Sequence, residues 1–119
     1  MLGSSSLGVF ADGVEPRGSY SVTIRTANTR VDSSSQRLIA NVHSIKEYRV
    51  HNASISTRNL SGSLRKGTAG ANVTIKSLTA SPGSTSYASG MPYKITSTGD
   101  YFVRLEGAKK CLGSSQFTW

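Results

Sequence analysis

Residues 19–25, Ser19-Tyr20-Ser21-Val22-Thr23-Ile24-Arg25, decide the fold. Tyr20, Val22 and Ile24 fall on one side of an extended chain, and Ser21, Thr23 and Arg25 on the other. That period of two is the mark of a half-buried strand. The alternation returns in Tyr101, Val103 and Leu105 against Phe102, Arg104 and Glu106, just after the turn signal Thr98-Gly99-Asp100. It returns again in 72–78, where Thr74 separates Val73 from Ile75 and Lys76 follows. Tyr48 to Thr57 reads as a strand with a less regular pattern. Tyr93 and Ile95 mark another, and Ser115 to Trp119 a last one with Phe117 and Trp119 on one face.

Three segments depart from this pattern. Leu38, Ile39, Val42 and Ile45 follow a helical spacing, with N-cap candidates in Asp32-Ser33-Ser34-Ser35, which predicts one short helix over 36–45. Residues 58–71, containing Gly62, Gly67 and Gly70, and the Ser-, Gly- and Pro-rich 79–91 predict two long loops. Residues 1–18 read as an N-terminal arm, which leaves 19–119 as a single β domain. Six or seven short strands with one helix predict an all-β fold, an antiparallel sandwich or barrel.

The rest of the sequence fits that class. A chain of 119 residues holds one domain and one core. Its wealth of Ser, Thr and Gly disfavours long helices, because Ser and Thr compete for backbone hydrogen bonds and Gly is entropically costly in a helix. No run approaches a membrane span, and Met1 to Phe10 lacks a signal-peptide pattern, so neither membrane nor secretory pathway is expected. The sequons at Asn52, Asn59 and Asn72 are then expected by chance in so hydroxyl-rich a chain. Cys111 stands alone, so it forms no intrachain disulfide or zinc cluster. It reads as a small buried hydrophobe, with Lys109 and Lys110 beside it as the argument for a reactive thiolate or an intermolecular disulfide.

Catalytic frameworks are missing. His43 and His51 fit no metal-ligand spacing, and no G-x-S-x-G elbow occurs. The six acids form no close pair in sequence. Gly62 to Thr68 reads G-S-L-R-K-G-T, with Lys66 before Gly67, whereas a phosphate-binding P-loop needs the lysine after the second glycine. No enzyme, cofactor or metal is predicted.

Charge points to a partner. Fourteen Lys and Arg against six Asp and Glu give a net +8 and a pI near 10.1, a balance that attracts polyanions. Arg25, Lys76, Lys94 and Arg104 fall on the polar sides of predicted strands, together with Thr23, Thr74 and Thr96. If those strands join one sheet, it gains a basic, hydroxyl-rich face suited to phosphate. An ordinary solvated face, with cations discouraging edge pairing, has about equal weight.

Residues 38–57 read L-I-A-N-V-H-S-I-K-E-Y-R-V-H-N-A-S-I-S-T. This stretch resembles the shell domain of coat proteins from small plant RNA viruses of the tombusvirus, luteovirus and sobemovirus kind. There a short helix leads into a strand opening with a Tyr-Arg/Lys-apolar step, as Tyr48-Arg49-Val50 does here. Thr68-Ala69-Gly70-Ala71, leading into Val73 and Ile75, is similar to the continuation. The resemblance implies an eight-stranded jelly roll that packs into a shell around RNA, with Arg49 at the motif's basic position. The Arg-rich arm and the acidic calcium set of such shells have no counterpart here.

The expected function is therefore a virion coat protein that self-assembles and contacts RNA without sequence preference, in the host cytoplasm and then in the virion. Arg25, Arg49, Arg65, Lys66, Lys76, Arg104, Lys109 and Lys110 are the candidates for phosphate contact. Phe117 and Trp119 are candidate subunit contacts, with core packing as their slightly weightier alternative role. The competing readings are a phage tail, fibre or decoration protein and a secreted β-sandwich binding module.

Overall fold

A computed structural model describes residues 18–25, 28–107 and 111–119. The described chain is all-β and antiparallel. Its strands are β1 (Ser19–Ile24), β2 (Arg30–Asp32), β3 (Gln36–Leu38), β4 (Ser44–Ile45), β5 (Glu47–Asn52), β6 (Leu60–Gly67), β7 (Asn72–Ala80), β8 (Thr85–Tyr87), β9 (Tyr93–Lys94), β10 (Gly99–Glu106) and β11 (Gly113–Thr118). One sheet runs β1-β11-β5-β8. The other runs β2-β10-β6-β7, with β3 also on β10, and β4 pairs with β9.

The topology becomes simple once β2–β3, β4–β5 and β8–β9 are each counted as one interrupted segment. Eight segments then form two sheets, first-eighth-third-sixth and second-seventh-fourth-fifth. This is a jelly roll, a pair of Greek keys wrapped into a sandwich. Its origin is visible in the register. Ser19 faces Thr118, Leu38 faces Gly99, Val50 faces Ser86 and Gly62 faces Leu78. In each pair the two residues lie nearly equidistant along the chain from the turn at Thr68–Ala71. The chain therefore pairs as one long hairpin ribbon with its tip at that turn, rolled so that β11 meets β5 and β10 meets β6.

Alternation places the core. Ile24, Tyr48, Val50 and Phe117 from one sheet meet Leu60, Leu64, Val103 and Leu105 from the other, all fully buried. Cys111 is buried beside them, as a small hydrophobe. Phe117 and Trp119, the candidate subunit contacts, pack inside the single chain. They stack with Tyr20 in one aromatic cluster, at ring separations of 5.1 to 6.2 Å, and are 0% and 7% exposed within a single chain.

The predicted helix over 36–45 does not form. Leu38 ends β3 and Ile45 ends β4, both buried, while Ile39 and Val42 sit exposed in the turn between them. Two inward strand ends flanking a tight turn mimic a helical period. The turn is fixed by the Ile39 N–H donating to His43 Nδ1 at 2.8 Å, with Asn41 at φ 64. Ser33, an expected N-cap, instead accepts the Val103 N–H at 3.0 Å.

The loop predicted over 58–71 contains β6. Gly62 is a packing glycine: a Cβ there would stand 2.4 Å from Val50 Cγ2 and 2.9 Å from the Tyr48 hydroxyl. The loop predicted over 79–91 holds the end of β7 and all of β8. The arm over 1–18 lies outside the described residues except for Gly18, which exchanges backbone hydrogen bonds with Trp119.

Candidate nucleic-acid interface

The outer face of the β1-β11-β5-β8 sheet is polar. Register aligns Ser21, Gln116, Arg49 and Tyr87 in one row, and Thr23, Ser114, His51 and Thr85 in the next. Arg49 donates to Gln116 Oε1 and lies 3.7 Å from Glu47. His51 Nδ1 and Thr85 Oγ1 are hydrogen-bonded at 2.8 Å. Arg25 stands exposed one residue beyond β1.

The outer face of the second sheet is more heavily bonded. Arg104 is 6% exposed and grips Asp32 with two bonds, at 2.7 and 3.1 Å. It also donates to the Ala69 carbonyl at 3.1 Å and lies over the Phe102 ring. The hydrogen bond to Asp32 raises the Arg104 pKa above its ordinary value, so the guanidinium is charged at every working pH. Arg65 donates to Ser63 Oγ at 2.8 Å and Asn72 Oδ1 at 2.7 Å. The arginines thus fasten the ribbon tip: Arg104 holds Ala69, and Arg65 holds Asn72, whose amide donates to the carbonyls of Thr68 and Ala69.

The single basic face expected from alternation is divided. Arg25 follows β1 at the end of the first sheet, Lys76 and Arg104 belong to the second, and Lys94 to the β4–β9 pair. A bulge separates Lys76 from Arg104 as well. Thr74 lies opposite Arg65 but Lys76 lies opposite Leu64, so the register shift there puts Lys76 on the core side. Its ammonium lies 5.8 Å from the Tyr93 ring centroid. Lys66 donates to Ser97 Oγ at 2.6 Å. Lys109 and Lys110 lie outside the described residues.

Sequence reasoning passed over Arg30 and Arg58, whose segments read as polar connections, and Arg37, which fell in the predicted helix. All three are exposed. Arg30 and Arg58 flank a groove of 710 Å³ also lined by Asn59, Ser61 and Glu106. Asp32 forms ion pairs with Arg104 and Arg30, and Glu47 forms one with Arg49. Arg25, Arg37, Arg58, Arg65, Lys66, Lys76 and Lys94 have no carboxylate within 4.0 Å among the described residues. These charges are spread over β3, β6, β7, β9 and the connections at Arg25 and Arg58 instead of forming one site. Such a distribution can meet phosphates and carries no geometry for reading bases.

A second groove, of 290 Å³, lies over Phe102 between Ser33–Ser35 and Gly67–Ala69. Its one carboxylate, Asp32, is held by Arg104. No group of three or more His, Cys, Asp or Glu side chains that could hold a metal occurs among the described residues.

No protein-family model matches the chain, and no curated protein matches it. Among solved structures it is similar to a chain of Bacillus endospore appendages, described as a family of disulfide-linked pili. That similarity spans 95% of this chain and 94% of the other at 14% identity, with a TM-score of 0.41. A likeness of that strength carries no functional argument.

Proposed function

We propose that this chain is a virion structural protein: a jelly-roll coat subunit that assembles with copies of itself and contacts genomic RNA through phosphates, without base readout and without catalysis. The observation that carries the reading is the set of seven cations without a carboxylate partner among the described residues, spread over a jelly-roll body. Arg25, Arg49, Arg65 and Lys66 remain candidate phosphate contacts, joined by Arg37 and Arg58. Arg104 acts within the protein, on Asp32 and the ribbon tip. Asn52 is buried, its amide donating to Arg58 O and Ala80 O at 2.9 Å, so that sequon is inaccessible in the folded chain, while the sequon at Asn59 stands exposed.

The test is particle size by light scattering together with the 260/280 nm absorbance ratio, at low and high salt. Large uniform particles carrying nucleic acid support the reading. Assemblies free of nucleic acid at both salts turn it towards a tail, fibre or decoration protein. A monomer without nucleic acid at both salts removes it.

A further inference from the structure

A β-sandwich has open edges, and three of the four here are protected. β7 carries the bulge beside Ile75 and a lysine, and its Thr79 carbonyl accepts the Ser86 hydroxyl at 2.7 Å. β8 is three residues long. The β2–β3 edge is interrupted at Ser33–Ser35 and carries Arg30, Asp32 and Arg37. Bulges, charges, brevity and interruption are the ordinary means of preventing strand addition. β1 has none of them. It is six residues long, Ser19 to Ile24, without charge, proline or bulge, and among the described residues it pairs with β11 alone.

The orientation of the open groups follows from one pair. Gly18 and Trp119 exchange both backbone hydrogen bonds, so by alternation Tyr20, Val22 and Ile24 also bond to β11. Ser19, Ser21 and Thr23 therefore turn their N–H and C=O groups outward, away from β11. Tyr20 and Val22, whose side chains enter the core, remain half-buried at this edge.

We propose that two copies of this chain pair through β1, antiparallel about a two-fold axis at Ser21, joining their four-stranded sheets into one eight-stranded sheet. Ser21 meets Ser21 of the second copy, and Ser19 meets Thr23 on either side. Such a pairing makes about six backbone hydrogen bonds and covers the edges of Tyr20 and Val22. The occupant is a second β1 because no other described edge is open to receive it. The strand is also uncharged, so two chains of net +8 meet here without apposing cations within the strand. This inference rests on the self-assembly half of the reading above and is independent of RNA.

The experiment uses the full chain, nuclease-treated and at high salt, followed by sedimentation equilibrium and amide hydrogen exchange. The expected species is a dimer, with the Ser19, Ser21 and Thr23 amides protected more strongly as concentration rises. Ser21→Pro deletes an outward N–H that β11 does not use, and is expected to weaken the dimer at least about tenfold with an unchanged circular dichroism spectrum. Ser21→Lys, which keeps every backbone group and apposes two ammoniums across the axis, has the same expected effect and stands in should the proline variant fail to fold. A wild-type monomer or trimer, a dimer that survives Ser21→Lys, or protection independent of concentration would overturn the pairing. Dimers that bind no RNA when it is added back at low salt would remove the coat-protein reading and leave the pairing intact.

Discussion

Tyr48 sits in the core with its hydroxyl lacking a hydrogen-bond partner among the described residues, while the neighbouring Ser115 hydroxyl donates to the Arg49 carbonyl. Burial raises its pKa well above the ordinary 10.0. The folded state therefore resists the phenolate, while the unfolded chain ionises normally. This contribution to stability is fully present below the unfolded pKa and is lost as pH rises from there towards the folded value. Tyr48→Phe is expected to match the parent at neutral pH or exceed it by up to about 1 kcal/mol, and to lose less stability above pH 10. Urea unfolding on both sides of that pH measures the difference. Asp32 presents the opposite case. Its removal leaves the nearly buried Arg104 without its bidentate acceptor and loosens the ribbon tip. Asp32→Ala is expected to cost about 2–3 kcal/mol, measured by chemical denaturation.

Among elements, position in the sheet decides durability. β10 is flanked on both sides, by β2 and β3 on one and β6 on the other, and β11 lies between β1 and β5. Their amides are expected to exchange only with global unfolding, while β8, the β4–β9 pair and the bulged part of β7 exchange by local opening. Native-state hydrogen exchange ranks them directly, and a β10 that exchanges as fast as β8 would refute the ordering. The same local view explains where sequence patterns misled. Leu38 and Ile45 are buried from two strands, so the helical spacing between them records a turn rather than a helix face. Gly62 looked like loop punctuation and is a strand position where Val50 and Tyr48 leave no room for a side chain.

At the scale of the whole molecule, the charge surplus outlasts its internal pairing, which links the fold to the proposed function. Binding to mixed-sequence single-stranded RNA, followed by fluorescence polarisation across a salt series, is expected to weaken steeply with salt and to show no base preference. Arg58→Ala and Arg37→Ala should each lower the salt slope by about 0.7 if they meet phosphates; slopes unchanged in both variants would remove these two from the interface. The sequence by itself determined the class of fold, because a strand half-buried between core and solvent imposes a period of two on every residue it contains. Tyr20, Val22 and Ile24, or Tyr101, Val103 and Leu105, reveal their faces without any partner being known. Net charge is likewise a sum over residues and needs no coordinates. Which strands are neighbours, and so which cations share a face, was decided only by the tertiary structure. The rolled ribbon brings Asp32 to Arg104 across 72 positions of chain, and one bulge in the β6–β7 hairpin carries Lys76 away from the face its alternation implied. Pairing across such distances depends on the closure of the whole ribbon, and local periodicity carries no record of it.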